Sequence, residues 1–293
     1  MSSGEGKIAL PGVGEGIEEC WMEMDGARMR YLRTGSGPPL ILLHGLLAYS
    51  FSWRFTLPAL APYATVYAID QLGAGFSDRP QGLDHSMRGT AQRVLKFAAN
   101  LGLPSFDLLG TSRGGAVAMC AAAESLSGET PRVQRLILVC PVNPFSPHGT
   151  RYAPFLGTPL GAAGFRWVVA RMPFLFSYGH RRLYAERSNI PADSLEGYEA
   201  PLATPGFFEH GLSIVKTWTA DLKELEELLP KLRNTRTLLI WGDKDPAVYV
   251  SSMEPLAANF ATVKKVVFRG VGHLPYEECP EQFNRAVIEF LRS

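Results

Sequence analysis

The chain has 293 residues, of which 46% are hydrophobic and 19% charged, with a formal net charge of +1. This balance excludes the low-complexity and disordered classes, and it offers no basic excess for displacing counterions from phosphates, so nucleic acid is not an expected partner. Cys20, Cys120, Cys140 and Cys279 lie far apart without a CxxC pair, which argues against a zinc site and against a dense disulfide framework.

Residues 1–18 are expected to be a flexible lead-in without an apolar signal segment. No stretch approaches a membrane span, so a cytoplasmic location without a membrane partner is expected. Residues 21–33 have strand character broken by Asp25-Gly26, a hairpin dipeptide, and predict two antiparallel edge strands. Residues 40–43 and 65–69 are runs apolar on both faces, as in a parallel sheet covered by helices, ending at His44-Gly45 and Asp70. Helical spacing over 87–101 leads to a third run at 106–109, then Gly110-Thr111-Ser112-Arg113-Gly114-Gly115, then an alanine-rich helix at 116–123. Residues 133–139 predict a fourth buried strand, stopped by Pro141 and Pro144.

From 142 to 219 the alternation breaks down and Phe, Tyr, Trp, Arg, Gly and Pro dominate, which predicts an inserted helical cap. Helices over 220–232, 251–260 and 280–291 and strands over 237–241 and 263–268 complete the pattern. The expected fold class is α/β, a mostly parallel sheet flanked by helices, with a core of residues 19–141 and 220–293 and a cap of residues 142–219.

The segment around Ser112 matches G-x-S-x-G in its strand, turn and helix setting, where small neighbours let a strained serine project. A serine hydroxyl needs a base, and His273 in Gly270-Val271-Gly272-His273 follows a predicted strand. His85, His148, His180 and His210 fall in less ordered or cap segments and are expected to be surface or cap residues. The orienting acid is Asp245 in Trp241-Gly242-Asp243-Lys244-Asp245, favoured over Asp243 because it precedes Pro246 and has room to turn inward. The backbone N–H groups of Leu46 and Arg113 are candidates for an oxyanion hole, and His44 is expected to be structural. Arg113 is expected to pack or pair rather than meet a substrate carboxylate.

Together, His44-Gly45, the run from Asp70 to Asp78, the turn at Ser112, Trp241 to Asp245, and Gly272-His273 with Glu278 and Pro280 resemble the α/β-hydrolase superfamily, specifically its capped branch. The resemblance covers the chain from about Glu19 to the end. It implies an α/β-hydrolase sheet with an inserted helical cap, a Ser112, Asp245 and His273 triad, and neither cofactor nor metal. Relatives that open epoxides or remove halides carry aspartate where Ser112 stands, and meta-cleavage hydrolases commonly place tryptophan where Leu274 stands. The expected function is therefore hydrolysis of a small hydrophobic carboxylic ester through an acyl-enzyme. Carbon-carbon bond hydrolysis, a ligand receptor and an acyltransferase are the alternatives. Phe155, Trp167, Phe174, Phe207 and Trp218 are expected to line the substrate pocket. Arg166, Arg171, Arg181, Arg182 and Arg187 are expected on a solvated face.

Overall fold

In the computed structural model of the chain, residues 15–146, 153–156, 158–172 and 174–293 are described, without the side chains of 153, 154, 166 and 168–170. Most of the expected lead-in, His148 and the Arg166 side chain therefore lie outside the described residues.

The strands are β1 (Glu18–Met24), β2 (Ala27–Thr34), β3 (Pro39–Leu43), β4 (Thr65–Ile69), β5 (Ser105–Thr111), β6 (Arg132–Val139), β7 (Arg236–Gly242) and β8 (Val263–Phe268). They form one sheet in the order β1-β2-β4-β3-β5-β6-β7-β8. β1 and β2 form the expected hairpin, turning at Asp25 and Gly26, whose φ angles of 55° and 77° suit a tight turn. β2 pairs antiparallel with β4, and every pairing from β4 onward is parallel. Leu40, Ile41, Leu42 and Leu43 are fully buried, as are Leu238 to Trp241, which is why these strands read as unbroken apolar runs.

The first helices are α1 (Leu57–Leu60), α2 (Met87–Asn100) and α3 (Arg113–Glu124). Between β6 and β7 lie α4 (Ala153–Leu156), α5 (Pro159–Arg171), α6 (Phe174–Arg181), α7 (Ser194–Glu199) and α8 (Phe207–Leu228). After β7 come α9 (Met253–Ala257), α10 (Pro275–Glu278) and α11 (Pro280–Leu291). The helical insertion thus replaces a single crossover helix. α8 runs unbroken past residue 219, where the cap was expected to end. Its apolar stripe, including Ile214, Trp218, Leu222 and Leu225, continues from insertion to core without a glycine or proline to stop it. The α-helix gives way to a 3₁₀ turn at Leu229–Leu232, where Pro230 lacks the N–H for a helical bond. Among the described residues, no helix is long and apolar enough to cross a membrane.

The register places the carboxyl ends of the central strands in one row. Leu43 of β3 lies beside Gly110 of β5, Thr111 beside Val139 of β6, and Gly242 of β7 beside Phe268 of β8. Side chains on the loops that leave these ends face one crevice, the usual ligand position in open α/β sheets.

Candidate active site

Ser112 stands between β5 and α3 with φ 53° and ψ −123°, a conformation that a side-chain-bearing residue adopts only under constraint. Close approach supplies the constraint. A Cβ on Gly110 would lie 2.3 Å from the carbonyl oxygen of Gly114, and one on Gly114 would lie 2.4 Å from that of His44. Both obstacles are backbone atoms and cannot swing aside. Gly114→Ala is therefore expected to destabilise the fold by about 1–3 kcal/mol, the usual range for overpacking. A thermal unfolding midpoint equal to that of the wild type would contradict this.

His273 leaves β8 on the loop Gly270-Val271-Gly272 and meets Asp245 from the loop after β7, with Nδ1 2.8 Å from Asp245 Oδ2. The other carboxylate oxygen, Oδ1, accepts the N–H groups of Ala247 and Val248 at 2.8 and 2.9 Å, so the acid is fixed by its own loop. Asp243 instead accepts the N–H of Gly270 at an exposed position. Cys140, at the end of β6 with φ 43°, places its sulfur beside this pair. The donor atoms of Cys140, Asp245 and His273 lie within 4.8 Å of one another, and a metal there would have to break the bond between acid and imidazole. Burial, then the Asp245 charge, raises the Cys140 thiol well above its ordinary range, so it stays protonated.

The histidine loop is held from the insertion as well. The N–H of His273 donates to the carbonyl of Leu183 at 2.7 Å. Glu278 accepts the N–H of Gly272 at 2.7 Å on one oxygen, and the Ala185 N–H and the Asn189 amide at 3.0 and 3.2 Å on the other. Burial raises the Glu278 carboxyl above its usual range. Glu277 beside it is buried and accepts from Arg54 at 2.9 and 3.2 Å, Tyr184 and Tyr198 at 2.6 Å, and Ser194 at 3.0 Å. Burial and then the Glu277 charge raise both tyrosine hydroxyls, which keeps them protonated as donors.

Above the row of strand ends is a cavity of about 500 Å³ whose wall includes Ser112, His273 and Leu46. The rest is mostly apolar, with Phe165, Met172, Phe176, Phe208 and Trp218 from the insertion and Val142, Val248 and Leu274 from the core. Of the five aromatics expected in the pocket, Trp218 lines it. Phe155, Trp167 and Phe174 are instead 62%, 60% and 59% exposed. Phe207 is buried behind the wall, packed edge-on against Phe176 and Phe208. The reason is helical geometry: Phe165 and Trp167 are two positions apart on α5 and so point to opposite sides.

His180 was expected only as a surface or cap residue, yet it is buried and lines the cavity, and burial pushes its imidazole down to about 4, so it is neutral. His85 and His210 also form a pair, Nδ1 to Nδ1 at 3.1 Å, with His210 buried. His44 is bonded on both ring nitrogens, with Nδ1 donating to Gly45 O at 2.8 Å and Nε2 accepting from Gln71 N at 3.1 Å. The Arg113 side chain is buried and turned to α2, donating to His85 O at 2.6 Å and Thr90 Oγ1 at 3.3 Å. Desolvation lowers its guanidinium to about 10. Its backbone N–H, in the first turn of α3, has no acceptor within the helix.

Comparison with known proteins agrees with this architecture: the family described as alpha/beta hydrolase fold matches residues 38–280. The chain belongs to the α/β-hydrolase family. This hydrolase is 28% identical over 286 residues to haloalkane dehalogenase 2 of Mycobacterium tuberculosis, covering 93% of this chain and 94% of that protein. It is 39% identical over 131 residues to N-formylmaleamate deformylase of Pseudomonas putida, a match covering 44% of this chain and 47% of the deformylase. Among solved structures, the hydrolase resembles a meta-cleavage product hydrolase from Pseudomonas fluorescens IP01 with a TM-score of 0.75 and 26% identity, covering 96% and 98% of the two chains.

Proposed function

We propose that this hydrolase cleaves a carboxylic ester of a small hydrophobic substrate through an acyl-enzyme on Ser112. One observation carries the reading: the strained Ser112 shares a cavity wall with His273, whose Nδ1 is held by Asp245 at 2.8 Å. Because a carboxylate only accepts, Nδ1 carries the proton and Nε2 carries the lone pair. His273 takes the Ser112 proton as Oγ attacks the carbonyl carbon, and Asp245 stabilises the imidazolium. The N–H groups of Leu46 and Arg113 receive the negative oxygen, an effect worth about 3 kcal/mol per donor. The imidazolium then protonates the departing alkoxide. Water, deprotonated by His273, attacks the acyl carbon and releases the acid, restoring Ser112.

The serine argues against dehalogenation despite the similarity to a haloalkane dehalogenase. Attack of Ser112 on an alkyl halide would leave an ether, which has no carbonyl for water to attack. Carbon-carbon bond cleavage is the second reading, favoured by the likeness to the meta-cleavage product hydrolase. The cavity of about 500 Å³ with its mainly apolar wall suits a compact hydrophobic acyl group in either case.

The deciding experiment is covalent labelling with a fluorophosphonate followed by peptide mapping. Label on the peptide carrying Ser112, and its loss on prior incubation with an ester substrate, is the expected result. Absence of label would overturn the nucleophile assignment and favour a ligand receptor. Turnover of dienones but not of nitrophenyl esters by a labelled enzyme would favour carbon-carbon cleavage.

A further inference from the structure

Among the described residues, the most exposed large hydrophobic side chains, Leu160, Phe155, Trp167, Phe174 and Tyr178, all belong to the insertion. Along α5, Leu160, Ala163, Gly164 and Trp167 are all exposed and fall at helical spacing on one side. Leu160 is 77% exposed and Trp167 60%, and Phe155 of α4 and Phe174 of α6 are exposed to a similar degree. Single exposed apolar residues are ordinary, whereas several on adjoining helices mark an interaction face.

The segment that carries α4, α5 and α6 has charge of one sign, although Glu199 of α7 accepts from Ser177 of α6. Residues 136–185 contain arginines at 151, 166, 171, 181 and 182 and neither aspartate nor glutamate. Arg171 and Arg182 are exposed and lie over the rings of Trp167 and Tyr178, at 5.5 and 5.8 Å from the centroids. Cationic groups beside exposed aromatic rings match a lipid interface, where the ring enters the acyl boundary and the guanidinium meets headgroups.

We propose that α4, α5 and α6 form a docking face for an anionic lipid surface. Complementary charge selects this occupant. A second copy of the chain meeting the face about a two-fold axis would set the same arginines against each other. Apolar side chains enter the acyl boundary while arginines contact acidic headgroups, giving peripheral attachment without a spanning helix. Met172, between α5 and α6, is exposed and also on the cavity wall, so the cavity meets the surface at this face. Resting on the ester reading, the bilayer is then the source of lipophilic esters that enter beside Met172.

Sedimentation of the full chain carrying Ser112→Ala with vesicles tests docking apart from catalysis. Binding to vesicles of phosphatidylglycerol and phosphatidylcholine is expected, with little binding to phosphatidylcholine alone and a steep loss on adding salt. Leu160→Ser with Trp167→Ser should weaken binding at least tenfold, and Arg181→Glu and Arg182→Glu about fivefold each. Thermal unfolding of each variant checks that its fold is retained. Failure to bind anionic vesicles, or equal binding by folded variants, overturns the proposal. So does a concentration-dependent dimer, seen by sedimentation velocity, that disappears in the Leu160→Ser, Trp167→Ser variant. None of these readouts requires ester turnover, so the chemistry and the docking face can fail separately.

Discussion

Replacing Ser112 by alanine is expected to reduce kcat on p-nitrophenyl butyrate by about 10⁶-fold, and replacing Asp245 by asparagine by about 10⁴-fold. The two losses have different origins. In the proposed mechanism Ser112→Ala removes the atom that forms the acyl bond, leaving only the catalysis provided by binding and by the proposed oxyanion donors. Asp245→Asn keeps the volume, but its amide can donate to Nδ1, and that would place the proton on Nε2, where the lone pair is needed. The Asp245 carboxylate is bonded to Ala247, Val248 and His273, so the asparagine variant tests charge and tautomer more than folding. Steady-state kinetics on purified variants with matched unfolding midpoints measures both. If Asp245→Asn lost less than about tenfold, the orienting acid would have to lie elsewhere.

Replacing Glu277 by alanine should cost about 3–5 kcal/mol of stability, the range found when one partner of a buried ion pair is removed. The carboxylate is wholly buried and faces Arg54, whose own side chain is 2% exposed. Its loss takes the charged acceptor from the Tyr184, Tyr198 and Ser194 hydroxyls, which keep only neutral partners, Ser52 for Tyr198 and each other or His180 for the other two. Arg54 retains Asp193, bonded at 2.8 and 3.1 Å, so its charge is not left entirely alone. Glu277→Gln keeps one acceptor oxygen and should cost distinctly less. Urea unfolding followed by tryptophan fluorescence reads the difference, and a loss below about 1 kcal/mol for the alanine variant would show that the insertion is held by other contacts.

The proposed triad could be read from the sequence because each of its parts must follow the end of a strand. Ser112, Asp245 and His273 were found by asking which residue types stood after apolar runs, and the structure places all three in the loops after β5, β7 and β8. The parallel core was legible for a related reason, since strands buried on both faces are apolar throughout. The insertion offered no such rule. Its aromatic composition signalled apolar surface without telling which side of a helix each ring occupied, so Trp167 was expected in a cavity that Phe165 lines. Adjacent Phe207 and Phe208 part company in the same way. Glu277 was equally opaque: its partners Arg54 and Ser194 stand 223 and 83 positions away, and no local pattern records such contacts.

The bonds from Leu183, Ala185 and Asn189 to the histidine loop divide the insertion by mechanical role. Outward displacement of these residues would pull His273, the proposed general base, from Asp245. A chimera that exchanges the whole insertion at residues 142 and 219 would therefore transplant the residues bonded to the His273 loop together with those of the cavity wall. A graft ending ahead of Leu183 changes the wall and leaves the base seated. Substrate range in this protein is accordingly best redesigned through α5 and α6, with residues 183–189 kept as they are.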